Sequence, residues 1–191
     1  LLREMIQKKH ATPPNKSLLA YAPFYDGDTA SLAKNFADDI TMRRNFSPLR
    51  NSGEEAYRIA KSMGGEAIIG KEATEQKFIE TAQLARILHL ATHGQVDDKS
   101  SDYSFLAFTP LKDSLENGLL YVRDLYNLTL NADLVVLSAC ETGIGQLQRG
   151  EGIISLARAF AYSGAKSIVT SLWSVNDAKT KDLMLLFYKN L

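Results

Sequence analysis

Two residues in this sequence carry the clearest chemical potential, His93 and Cys140. An imidazole beside a thiol can take its proton and leave a thiolate, the form of cysteine that attacks a carbonyl carbon. Each residue closes an apolar run. Ile87-Leu88-His89-Leu90-Ala91-Thr92 leads into His93-Gly94, and Leu134-Val135-Val136-Leu137-Ser138-Ala139 leads into Cys140. Both runs are too short for independent helices and suit strands buried on both faces, as in a parallel sheet. Ligands of open α/β sheets bind beyond the carboxyl ends of the strands, and neighbouring strands lie about 4.8 Å apart. If the runs are neighbours, His93 and Cys140 emerge together at one edge of the sheet. Ordinary burial competes with this reading, because a lone cysteine commonly behaves as a small hydrophobe and a lone histidine as a core residue. The residue types alone leave both readings open.

Other constellations are weaker. His89 and His93 are four apart, but Leu90-Ala91-Thr92 between them lacks the glutamate of a zincin helix, and the segment reads as a strand. No metal site is expected, and His89 reads as a core histidine. Gly143, Gly145, Gly150 and Gly152 match neither phosphate-loop pattern, and they follow Cys140 in a long loop rather than a tight turn. That loop reads as one that shapes a substrate site. No G-x-S-x-G elbow is present, which counts against a serine α/β-hydrolase.

The scaffold that must hold these residues is a globular one. The chain has 191 residues, 45% hydrophobic and 23% charged, a balance that excludes disordered and collagen-like classes. Lys+Arg and Asp+Glu number 22 each, and a net charge of zero argues against nucleic acid as a partner. No apolar run approaches the roughly 20 residues that span a bilayer, so no membrane association is expected. One cysteine cannot make an internal disulfide, which points to a reducing, cytoplasmic compartment.

Along the chain, strands alternate with helices. Residues 1–16 end in Thr12-Pro13-Pro14-Asn15 and read as a linker or the tail of a preceding region, with one domain over 17–191. Strands are expected at Leu18–Ala22, Glu66–Gly70, Ile87–Gly94, Phe105–Thr109, Leu134–Cys140 and Ser167–Trp173. Helices are expected at Glu54–Met63, stopped by Gly64-Gly65, then from Thr74, over Val122–Leu128, from Glu151 or Gly152 to about Tyr162, and from Ala178. Thr29–Asn51 is ambiguous. The alternation predicts an α/β fold with a mostly parallel sheet covered on both faces.

At these same residues the sequence resembles a known family. The runs His89-Leu90-Ala91-Thr92-His93-Gly94 and Leu137-Ser138-Ala139-Cys140-Glu141-Thr142-Gly143 resemble those of the CHAT domain. So do Arg149-Gly150-Glu151-Gly152, Leu156-Ala157-Arg158-Ala159-Phe160, Gly164-Ala165 and Ser171-Leu172-Trp173-Ser174-Val175-Asn176-Asp177. CHAT is the caspase-like domain commonly found beside TPR repeats in bacterial proteins, in the clan of separase, gingipains and metacaspases. The caspase pattern sets its histidine about 50 residues before a Q-A-C motif. Here the separation is 140 − 93 = 47, and Ser138 stands in place of the glutamine.

The resemblance implies a three-layer α/β/α caspase-like sandwich and a cysteine endopeptidase acting on protein or peptide substrates without a cofactor. Cys140 would be the nucleophile and His93 the general acid and base. The backbone N–H groups of Gly94 and Cys140 would form the oxyanion hole. Trp173, Ser174 and Val175 would pair with the substrate backbone, and Ser138 and Asp97 would line the primary pocket. TPR repeats, in the same chain or a partner, are the implied neighbours, and the stop at Leu191 implies an end truncated relative to the family. Regulation by an adjoining domain or partner is expected. The competing classes are a catalytically silent caspase-like interaction module and, with less support, a nucleotide-binding domain using the Gly143–Gly152 loop.

Overall fold

The computed structural model describes residues 13–23, 49–97, 100–111, 118–138, 140–141, 151–171 and 177–191. The ambiguous Thr29–Asn51 stretch falls largely outside them. So do residues 142–150 of the glycine-rich loop and the Trp173-Ser174-Val175 segment.

Five strands form the central sheet: β1 (Lys16–Ala22), β2 (Glu66–Ile69), β3 (Ala85–Leu90), β7 (Leu134–Leu137) and β9 (Ile168–Thr170). Their order is β2-β1-β3-β7-β9, and every pairing is parallel. The expected neighbour relation between the two apolar runs is therefore present, with Ile87 opposite Leu134 and Leu90 opposite Leu137.

Period-two alternation divides the strand residues between two cores. On one face Leu19, Tyr21, Leu88, Leu90, Val135 and Leu137 meet Phe78 of α2 (Glu75–Thr81), Leu125 of α3 (Val122–Leu125), and Leu156 and Phe160 of α4 (Glu151–Ser163). On the other face Leu18, Ala20, Ala22 and Val136 meet Ala56 and Ile59 of α1 (Ser52–Ser62), and Met184 and Tyr188 of α5 (Asp177–Lys189). This is the three-layer α/β/α sandwich that the sequence predicts.

Local chemistry explains the element ends. Helix α1 carries Glu54 and Glu55 in its first turn and Lys61 in its last, each matching the sign of the helix dipole. It stops where Gly64 takes φ +62° and Gly65 N–H reaches back to Ala60 O at 2.8 Å, a Schellman closure. Thr74 caps α2, its hydroxyl oxygen accepting from Lys77 N–H at 3.1 Å. Tyr21, Phe78 and Phe108 pack together, with the Tyr21 and Phe78 ring centroids 5.2 Å apart at 70°. Among the described residues, no helix is long and apolar enough to cross a membrane.

The structure departs from the sequence reading in one respect that matters for the site. The expected strands Ile87–Gly94 and Leu134–Cys140 are each interrupted. Beyond the break lie β4 (His93–Gln95) and β8 (Cys140–Glu141), which join β5 (Phe105–Ala107) and β6 (Leu119–Tyr121) in a second sheet ordered β6-β5-β4-β8. In it β4 and β5, and β5 and β6, pair antiparallel, while β4 and β8 pair parallel. Segments of two or three residues are too short for alternation to show, and hydrophobic patterning reads the two sheets as one.

Candidate active site

Strand β3 delivers its end to the site through a bend at Ala91-Thr92. The Ala91 N–H still donates to Tyr21 O at 2.9 Å, so this residue remains tied to β1. Thr92 is buried, and its hydroxyl donates to the carbonyl of Ala107 at the end of β5. His93 follows as the first residue of β4 and is 0% exposed.

Across from it, β7 ends at Leu137, Ser138 is buried just beyond, and β8 begins at Cys140. His93 is the register partner of Cys140, and Gly94 that of Glu141. The offset is the same on both sides of the break: 134 − 87 = 47 in the central sheet and 140 − 93 = 47 in the second. The two chains thus leave one sheet and enter the other without slipping, with backbones at the parallel-strand spacing of about 4.8 Å.

Gly94 is held from both sides. It pairs with Leu106 of β5 as well as with Glu141 of β8. Asp97 lies just past β4: its Oδ1 accepts from Ser100 N–H at 2.9 Å, and its own N–H donates to Ser104 Oγ at 3.0 Å. Trp173, Ser174 and Val175 lie outside the described residues, so the structure brings together His93, Gly94, the Cys140 backbone and, next to them in the chain, Ser138. No group of three His, Cys, Asp or Glu side chains that could hold a metal ion occurs among the described residues.

His89 is a core residue, as its place in the apolar run suggests. Its Nε2 lies 3.0 Å from Glu55 Oε1 and its Nδ1 lies 3.2 Å from the Tyr188 hydroxyl, with all three side chains buried. Burial, and then the Glu55 charge, push the Tyr188 phenol well above its ordinary range, so it keeps its proton. The imidazole is thus held at both nitrogens, by the phenol at Nδ1 and by the Glu55 carboxyl at Nε2. Sequence reasoning missed these two partners, which lie 34 and 99 residues from His89. It also missed the Thr92 hydroxyl, whose only trace in the sequence is a polar residue inside an apolar run.

Against known proteins, a family model described as the CHAT domain matches residues 6–191. Among curated proteins, the chain is similar to tetratricopeptide repeat protein 28 of Mus musculus, 26% identical over 180 residues, covering 76% of this chain and 7% of that protein. It is equally similar to tetratricopeptide repeat protein 28 of Homo sapiens, 26% identical over 204 residues, covering 88% of this chain and 8% of that protein. The chain thus spans only 7–8% of the length of these relatives, both of which are named for tetratricopeptide repeats.

Proposed function

Because the chain belongs to the CHAT domain family, within the caspase-like peptidase clan, we propose that it is a cysteine endopeptidase using a His93–Cys140 dyad and held in a resting state. The observation that carries this reading is the register pairing of His93 with Cys140. In the proposed reaction His93 takes the thiol proton, and the Cys140 thiolate attacks the scissile carbonyl of a protein or peptide substrate. The imidazolium then returns its proton to the leaving amine, and water hydrolyses the acyl-enzyme by the reverse sequence. The N–H groups of Gly94 and Cys140 stabilise the oxyanion, a contribution of about 3–4 kcal/mol per donor in comparable sites. Trp173, Ser174 and Val175 bind the substrate backbone, and Ser138 and Asp97 line the primary pocket. No cofactor or metal enters this chemistry. The domain over 17–191 works in a reducing, cytoplasmic setting beside tetratricopeptide repeats of its own or a partner chain.

Two features support a resting state. His93 is fully buried, so a substrate carbonyl reaches it only after the covering chain moves. Gly94 lies in a strand paired on both edges, where N–H groups are engaged by the ladders. An oxyanion hole needs that donor free. The two-residue strand β8 is the weaker of its two partners and the one that must yield.

The burial of His93 also suits the second reading, a silent caspase-like interaction module. Incubating the full-length protein with one equivalent of a peptidyl acyloxymethyl ketone separates the two. The peptidase reading expects an adduct mapped by mass spectrometry to Cys140 and lost in His93→Ala. Labelling of Cys140 no faster in wild type than in His93→Ala points to the silent module.

A further inference from the structure

We propose that Thr92 is a positioning residue, setting the place of His93 by pinning the bend between β3 and β4 to β5 through its hydroxyl. The role rests on the reading of His93 as general acid and base.

The chain has to pass from one sheet to the other within Ala91 and Thr92. On the central-sheet side it is held by backbone, through the Ala91 N–H to Tyr21 O bond. On the far side β4 pairs with β5 from Gly94–Leu106 and Gln95–Phe105. One step further along that antiparallel register, Ala107 stands opposite His93, and its carbonyl accepts from the Thr92 hydroxyl. His93 therefore sits between a residue anchored by its side chain and a residue anchored by strand pairing on both edges.

Shape alone does not call for threonine here. Valine has nearly the same shape and is likewise β-branched, and the neighbours Leu88, Leu90 and Ala91 are apolar and buried. A buried hydroxyl is costly unless it is bonded. What threonine adds over valine is the bond to Ala107, and that bond fixes the peptide unit that carries the imidazole. Misplacing a catalytic group by about 1 Å can cost about 100-fold in rate.

The test compares wild type with Thr92→Val and Thr92→Ser. Ser163→Ala serves as the control, because Ser163 is another buried hydroxyl, donating to the Leu125 and Ala159 carbonyls. The chain has three histidines, so the His93 ring signals are separable by NMR from those of His10 and His89. The proposal expects the His93 ring shifts and their pH titration to move in Thr92→Val and to stay at wild-type values in Thr92→Ser and Ser163→Ala. Unmoved His93 signals in a folded Thr92→Val overturn it. Should the valine variant not fold, the serine variant decides: wild-type His93 signals support the proposal and displaced ones overturn it. This readout needs no turnover, so an inactive protein bears on the peptidase reading alone. Where cleavage is measured, Thr92→Val is expected to lower kcat about 10- to 100-fold with KM little changed and Thr92→Ser to restore it. An equal loss in both variants counts against the hydroxyl.

Discussion

His93 and Cys140 are backbone register partners in a parallel strand pair, in the same register that sets Ile87 opposite Leu134. The 47-residue separation of the two residues is thus a property of the whole strand pair, maintained through a break that both strands share. A slip of one residue in either chain would replace this pairing with a neighbour on the opposite face of the pleat. Six residues of buried β3 and four of β7 hold the register upstream, which leaves the short β4–β8 pair free to separate without losing its alignment.

Asp133 ties the amino ends of the central strands together on the surface. Its carboxylate accepts from Arg86 Nε at 2.8 Å and from Lys166 Nζ at 2.6 Å. The Lys166 hydrogen bond first, and then that of Arg86, hold its carboxyl below the ordinary range against the opposing effect of burial. A depressed carboxylate stabilises the fold above its unfolded pKa, near 3.9, and that contribution is lost as pH falls through the lower folded value. Both cations are more than half exposed, so screening keeps the contribution small. Asp133→Asn is expected to cost about 0.2–1 kcal/mol at neutral pH, a gap that narrows in urea melts as pH falls through the depressed carboxyl range.

The Glu55–His89–Tyr188 chain clamps α1 and α5 onto β3 from the face opposite α4. Tyr188→Phe leaves the buried Nδ1 without its hydrogen-bond partner and is expected to cost about 1–3 kcal/mol in denaturant melts. A loss no larger than that of an exposed Tyr57→Phe control would contradict the bond.

Alkaline titration probes two tyrosines at once. Burial is the first cause that raises both Tyr21 and Tyr188; the hydrogen bond with the Thr81 hydroxyl partly offsets this for Tyr21, and nearby glutamates add to it for both. Groups whose folded pKa is raised lend stability that is complete below the unfolded phenol pKa of about 10 and is lost as pH climbs beyond it. Of the eight tyrosines, at least these two should stay un-ionised by ultraviolet absorbance until the fold gives way. Reversible ionisation of all eight in the native protein would contradict their burial.

Gly164 closes α4 with φ +120°, and a Cβ there would lie 2.3 Å from Leu130 O. The nearby Leu130 N–H to Ser163 O bond, at 2.7 Å, leaves that backbone little room to retreat. Gly164→Ala is expected to cost at least about 1–3 kcal/mol. Gly64→Ala, at φ +62° with open space around it, should cost about 1 kcal/mol. Midpoints of urea unfolding order the two.

The parts of this fold that show in the sequence are those with enough residues to carry a pattern. Leu18–Ala22 and Leu134–Leu137 are continuous apolar runs because helices cover both faces, and Gly64-Gly65 and Thr74 mark helix ends by their own chemistry. The pairing of His93 with Cys140 follows from two such runs being neighbours. Of the second sheet only β5 showed, within the expected strand Phe105–Thr109; β4, β6 and β8 have two or three residues each and are defined by partners distant in sequence. For the same reason Glu55 and Tyr188 were not legible as partners of His89. The bonds that Asp97 makes with Ser100 and Ser104 were likewise not legible, because a short acidic side chain suits a backbone N–H nearby as readily as a pocket wall.

Peptide-bond cleavage by the full-length protein tests the dyad most directly. Wild type, Cys140→Ala and His93→Ala are each incubated with a proteome-derived peptide library in cell extract, and new N-termini are counted by mass spectrometry. The account predicts cleavage by wild type and a loss of at least about 1,000-fold in each variant, with thermal midpoints close to wild type. Near-normal cleavage by Cys140→Ala or by His93→Ala would contradict it.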